Sequence, residues 1–200
     1  MERKEEQQDL IERTLAGSSA AYAELYNQTA GELYKIIRLL VGNAEDAQDV
    51  MQETYLQVHR NLHQFDRNRA FRPWLTGIAL RQVKACRRKR WMQVRKVGRA
   101  AQYGRETQEA DFSGQSAERL DRGEWIERIG RLPYKLRQIV VLRYLNDYAQ
   151  EEIAEMLGIP TGTVKSRIHA ALERLRKNEP MRLQQSKSEP AKERSLKTGG

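Results

Sequence analysis

Apolar residues along this chain recur at intervals of three and four and almost nowhere alternate, so the pattern predicts amphipathic helices and no sheet. Residues 5 to 41 read as one short and one longer helix, broken near Gly17, Ser18 and Ser19. Gly42 and Asn43 close the second helix, and Asn43 is placed to cap a third, with Glu45 and Asp46 in its first turn. The third helix runs to about Leu62, with Ala47, Val50, Met51, Thr54, Val58 and Leu62 as its inward stripe. A polar turn from His63 to Arg69 leads to a fourth helix, where Pro73 suits the first turn because its missing N–H costs nothing there. Trp74, Leu75, Ile78, Ala79, Ala85 and Cys86 are the expected core face of that helix.

After Arg90 the pattern weakens. Residues 96–118 carry Gly98, Gly104 and Gly114 among polar residues and read as a flexible linker. Helical pattern resumes near Ala117 and runs to Lys177, punctuated by Leu132-Pro133 and by Gly158-Ile159-Pro160. The polar tail, 179–200, is expected to be disordered. The fold class is therefore all-α: two small helical domains joined by a flexible linker, the first over 1–95 and the second over 119–178.

The second domain carries the strongest local signal. From Glu151 to His169, two short helices flank a tight turn containing Gly158, as a helix-turn-helix requires. Ala154 is small where the helices must approach, Ile153 and Leu157 line one side, and Ile159 plugs the turn. Val164, Ile168, Leu172 and Leu175 form the inward stripe of the second helix, and Ile139, Val140 and Leu142 the core of a supporting helix. On the outward face stand Gly162, Ser166 and His169, with Thr163 and Ala170 on one flank, Arg167 beyond them, Lys165 on the other, and Thr161 at the helix start. Small and polar groups at the centre permit close approach to base edges, while cations at the sides reach phosphates.

Charge extends this picture to the first domain. Lys and Arg outnumber Asp and Glu by 36 to 27, which points to a polyanionic partner. In the fourth helix Arg81, Lys84, Arg87 and Arg88 cluster on one side, Lys89-Arg90-Trp91 extends the charge, and Phe65, Phe71 and Trp74 lie in or beside the preceding turn. Cations along a backbone with aromatic faces nearby are what single-stranded nucleic acid needs. The plain alternatives are a solvated basic face and a core role for Trp74. On the third helix, Asp49, Gln52, Glu53 and Leu56 make an outward face that is either a protein contact or an acidic surface with one exposed leucine.

Other classes fit less well. Cys86 is the single cysteine, so no intramolecular disulfide can form, and a small buried hydrophobe is its expected role. His59, His63 and His169 share no metal-ligand pattern with it, and no phosphate-cradling glycine loop occurs, so no catalytic residue, metal or cofactor is expected. No secretory signal or membrane span is read, which makes a cytoplasmic protein without membrane insertion the expectation. A conventional helix-turn-helix regulator of duplex operators is the main alternative, and the basic-aromatic first domain argues against it.

Over roughly residues 20 to 177 the chain resembles the extracytoplasmic-function sigma factors of bacterial RNA polymerase. The resemblance rests on Glu45-Asp-Ala-Gln-Asp-Val-Met-Gln-Glu-Thr-Tyr-Leu56 and Phe71-Arg-Pro-Trp-Leu-Thr-Gly-Ile-Ala79 in one half. In the other half it rests on Leu132-Pro133, Glu152-Ile-Ala154 and Gly158-Ile-Pro-Thr-Gly-Thr-Val-Lys-Ser-Arg167. It implies that Asp49, Gln52, Glu53 and Leu56 dock on the polymerase clamp helices. It implies that the turn with His63, Phe65, Arg67, Asn68 and Phe71 captures a flipped base of the downstream promoter element, and that Arg81, Lys84, Arg87 and Arg88 hold that strand. Thr161, Gly162, Thr163, Lys165, Ser166, Arg167 and His169 would read the upstream element as duplex, and the linker would thread through the polymerase. Core RNA polymerase and promoter DNA are the implied partners, and the family often adds an inhibitory anti-sigma protein. Ala149 departs from the family pattern, standing where a Ser or Thr often caps the first helix of the pair; Asp147 caps instead, or the helix start is frayed.

Overall fold

The computed structural model describes residues 2–98 and 125–177, and every regular element among them is helical. The expected linker lies outside the described residues except for 96–98, which continue the fourth helix; the expected tail lies wholly outside them.

Helix α1 (Glu2–Leu15) lays Leu10 and Ile11 against α2 (Ser19–Val41). The break between them is a local cap: the Ser18 hydroxyl accepts the Ala21 N–H at 3.2 Å, and Gly17 takes a left-handed φ of 94°. Gly42 closes α2 in the same conformation, and the Asn43 side chain accepts the Asp46 N–H at 2.7 Å to start α3 (Ala44–Asn61). The inward stripe read on α3 is buried at every position, with Tyr55 added to it. A 3-10 turn, Leu62–Gln64, and an irregular stretch deliver the chain to α4 (Phe71–Gly98). Leu33, Ile36, Ile37 and Leu40 of α2, Val50 and Val58 of α3, and Leu75, Ile78, Ala79 and Val83 of α4 form one core.

Beyond a helical stretch at 125–130, the second half contains α5 (Tyr134–Tyr144), α6 (Gln150–Leu157) and α7 (Thr161–Lys177). Ile139, Val141 and Leu142 of α5, Ile153 of α6, and Val164 and Ala171 of α7 have no measurable exposure, so the three helices pack about a common centre. Gly158 takes φ 62° and donates its N–H to the carbonyls of Ala154 and Glu155, which turns the chain sharply into α7. No side chain caps α6. Asp147 instead takes a left-handed φ of 56°, and only the return half of a capping box forms, with the Ala149 N–H donating to the Glu152 carboxylate at 2.8 Å. Ala149→Ser should supply the missing half. We expect about 1 kcal/mol of added stability, read as a melting temperature raised by roughly 2–4 °C for a chain of this size.

The two halves also meet. The Tyr148 hydroxyl hydrogen-bonds the Thr76 hydroxyl at 2.8 Å, both buried. A Cβ on Gly77 would lie 3.9 Å from Met156 Cγ, and Arg69 pairs with Glu155. The loop carrying Tyr148 is pinned to α5: its N–H donates to the Leu142 carbonyl, and the Asn146 amide donates to that of Val141. This second neighbour explains the first of two departures in α4. Thr76, Leu80 and Val83 are buried beyond the expected stripe, because α6 covers a second side of the helix. Ala85, expected inward, is exposed and lines an open groove of about 720 Å³ where α3 and the end of α4 diverge; Trp74 and Cys86 are partly buried.

Candidate nucleic-acid interface

On α7, burial of Val164, Ala171 and Leu175 against α5 and α6 aims the opposite face outward. Gly162, Lys165, Ser166 and His169 are exposed there, while Thr161, Thr163 and Arg167 are partly covered. A Cβ at Gly162 would meet nothing within 4 Å, so packing does not demand glycine at that position. Its effect is to keep the surface low at the helix start, where a base edge would approach. The Ser166 hydroxyl donates to the Thr163 carbonyl at 3.0 Å and retains lone pairs for an incoming donor.

In the first half, the turn between α3 and α4 is held from beneath. Phe65, Phe71 and Trp74 form a three-ring cluster with centroids 5.1 to 5.7 Å apart. Phe65 and Phe71 are only 7% and 3% exposed, which corrects the reading of both as stacking faces: their rings are spent on each other and on the core. They support the polar tip instead. There His63, Arg67 and Asn68 are exposed, and the Asp66 carboxylate accepts the Asn68 N–H at 3.0 Å. Helix α1 fastens this tip in a way no local pattern announced: Gln8 donates to the Arg67 carbonyl, and Glu12 pairs with the Arg67 guanidinium at 2.8 Å.

Helix α4 contains no Asp or Glu along its whole length. Arg81, Lys84 and Arg88 are exposed and form no ion pair among the described residues. Arg87, expected in the same cluster, is turned away from it. Its guanidinium lies 3.8 Å from the Tyr134 ring centroid, and it donates to the Leu40 carbonyl at 3.5 Å. Burial pushes the Tyr134 hydroxyl up to about 12 despite that neighbouring cation. Burial, and then the positive charge of Arg87, lower the pKa of Arg137 beside it. Arg87 therefore belongs to the contact between the halves, and the free stripe is Arg81, Lys84 and Arg88.

The acidic face of α3 stands as read, with Asp49, Gln52 and Leu56 exposed and Glu53 partly so. Leu56, at 45% exposure, is not isolated. It sits on a groove of about 930 Å³ lined by Tyr22, Tyr26 and Tyr34 of α2 and by Met51, Tyr55 and His59 of α3. The Tyr26 and Tyr55 rings lie 4.5 Å apart, Tyr22 donates to the Tyr55 carbonyl at 2.6 Å, and the Tyr55 hydroxyl bonds that of Thr29 at 2.8 Å. Sequence reasoning missed the tyrosines. Their spacing along α2, at 22, 26 and 34, places them on one face and was the available signal.

Both halves of the chain match known protein families. The family model for Sigma-70 region 2 matches residues 25–92, and that for Sigma-70, region 4 matches 122–175. The ECF RNA polymerase sigma factor SigW of Bacillus subtilis is 28% identical over 84% of this chain and 93% of its own length. The RNA polymerase sigma-H factor of Pseudomonas aeruginosa is 31% identical over 87% and 94%. The ECF RNA polymerase sigma factor SigL of Mycobacterium tuberculosis is 32% identical over 80% and 90%. Among solved structures, CnrH in complex with the cytosolic domain of CnrY superposes with a TM-score of 0.62 at 23% identity, covering 92% of this chain and 99% of that one. The sigma factor RpoE from Bartonella quintana, solved with the anti-sigma factor NepR, gives 0.63 at 18% identity, covering 78% and 94%. At those identities the two structures establish the shared fold.

Proposed function

Because the chain belongs to the extracytoplasmic-function sigma factors, the promoter-recognising subunits of bacterial RNA polymerase, we propose that its two halves grip one promoter at two places and in two states of the DNA. The chain binds core polymerase and promoter DNA, and the polymerase supplies the catalysis. In our reading α3 docks on the polymerase clamp through Asp49, Gln52, Glu53 and Leu56, with the tyrosine groove of α2 completing the contact. The exposed tip at His63, Arg67 and Asn68 receives an extruded base of the downstream element, and Arg81, Lys84 and Arg88 neutralise the strand beside it. Helix α7 enters the major groove of the upstream element through Gly162, Ser166 and His169, with Thr161, Thr163, Lys165 and Arg167 around them.

The division of labour follows the chain: a first unit over 1–95, extended by α4 to Gly98, and a second over 119–178. An inhibitory anti-sigma protein is the further partner this reading assigns, and a cytoplasmic location follows from the polymerase. No helix among the described residues is long and apolar enough to cross a membrane.

The observation that supports this reading is the acid-free α4, on which the exposed Arg81, Lys84 and Arg88 form no ion pair among the described residues, while α7 separately presents an exposed face of small and polar residues. Extruding a base costs a few kcal/mol, which the tip and the cations must offset. Replacing Lys84 and Arg88 together with alanine should weaken open-complex formation on most promoters. It should also flatten the plot of log affinity against log salt by roughly 1.5, at about 0.7 per single-strand phosphate contact. Filter binding across a salt series measures it. An unchanged slope would remove the strand-holding role from this face, and failure of the wild-type chain to co-elute with core polymerase would return it to the class of ordinary duplex-binding regulators.

A further inference from the structure

Helix α4 continues its cationic stripe beyond the residues that hold the downstream element. At about 100° per residue, Arg81, Lys84, Arg88, Trp91 and Arg95 fall within one sector of the helix roughly 80° wide. From Arg81 to Arg95 the stripe runs about 21 Å, at 1.5 Å per residue. That is roughly six phosphates at the 3.4 Å spacing of one DNA strand. Trp91 is 58% exposed, more than any other large hydrophobic residue among those described. One face of its indole is covered by the Arg95 guanidinium, 4.5 Å from the ring centroid. On the opposite side of α4, Arg90 pairs with Asp46 at 3.1 Å, which ties this turn to the start of α3.

An exposed tryptophan on its own carries little meaning. This one stands in line with four cations on a helix that has no acid, a guanidinium lies over its ring, and more than half of the residue is exposed. We propose that Trp91 and Arg95 form a stacking site for a base of the unpaired promoter strand, extending the track that begins at the turn before α4. The inference rests on the sigma-factor reading and adds a site to it. A base–aromatic stack tolerates any sequence because every base offers a π-face, and the flanking guanidinium serves both the ring and the adjacent phosphate. A lipid surface fits less well. Met92 and Val94, the other exposed apolar residues here, point to opposite sides of Trp91 and do not build the single apolar face that lying on a membrane requires.

The test uses holoenzyme assembled from the full chain and core polymerase, bound to a promoter fragment premelted over the downstream element. Trp91→Ala should weaken binding about tenfold, within the range one base–aromatic stack provides. Trp91→Phe should recover most of that loss, and Arg95→Ala should give a smaller one. Abasic sites placed singly along the unpaired strand should reveal one position at which wild type and Trp91→Ala bind alike, because the stack is then absent from both. Equal binding by wild type and Trp91→Ala overturns the site. So does a loss that no abasic position equalises, which would indicate that the ring packs against residues beyond Gly98. A loss of the same size on a fully paired fragment overturns it in favour of a duplex contact. If wild-type holoenzyme fails to bind the premelted promoter at all, the functional reading fails and not merely this site.

Discussion

Replacing Leu56 with aspartate should lower the affinity of the chain for core polymerase by roughly two orders of magnitude, about 2–4 kcal/mol. Leu56 stands at the rim of the tyrosine groove, half exposed, with Gln52 and Tyr55 beside it. A residue so placed costs little to leave in water, so the free chain should lose nothing measurable in its melting temperature. Docking would enclose the new carboxylate among tyrosine rings that offer it no cation, and a buried charge without a partner is strongly disfavoured. Fluorescence anisotropy of labelled chain titrated with core polymerase reads the effect. An unchanged dissociation constant, with helical content intact, would remove the groove from the polymerase contact.

The second large effect concerns the other half. Ile153 has no exposure and sits where α5, α6 and α7 converge. Ile153→Ala should destabilise that half by about 2–5 kcal/mol, the transfer loss of the deleted methyl groups plus the cavity left behind. A domain with ordinary stability of about 5–15 kcal/mol would lose a large fraction of it. Preference for the upstream element should fall with it, since the face of α7 is aimed by packing on α6. Core-polymerase binding through α2 and α3 should persist. Ile153→Val, at about 0.5–1.5 kcal/mol, is the graded control. Thermal melts followed by circular dichroism, together with binding to promoter fragments carrying or lacking the upstream element, separate the two readouts. Coincident loss of polymerase binding would show that the halves do not act separately.

Much of this arrangement is legible locally. The α3 stripe from Ala47 to Leu62, the Asn43 cap, the Gly158 turn and the outward face of α7 all follow from helical period and from backbone needs within four residues. The parts that escape local reading are contacts between distant segments. Whether an aromatic in a turn stacks on a ligand or on its neighbours depends on what lies beneath, and Phe65 and Phe71 turned out to be support. Arg87 lies within the same basic run as Lys84 and Arg88, yet its guanidinium goes to Tyr134, 47 residues away in sequence. The tyrosine groove needs α2 and α3 side by side before its rings meet.

The order of residues by itself determined the helices, the Asn43 cap, the apolar stripe of α3 and the outward polar face of α7, because each depends on side chains brought together by one turn of backbone. Tertiary structure alone decided which cations remain free, which rings are enclosed, and that Tyr148 meets Thr76 across 72 residues. Those outcomes are set by which faces compete for the same buried space, and no periodicity within a single helix carries that information.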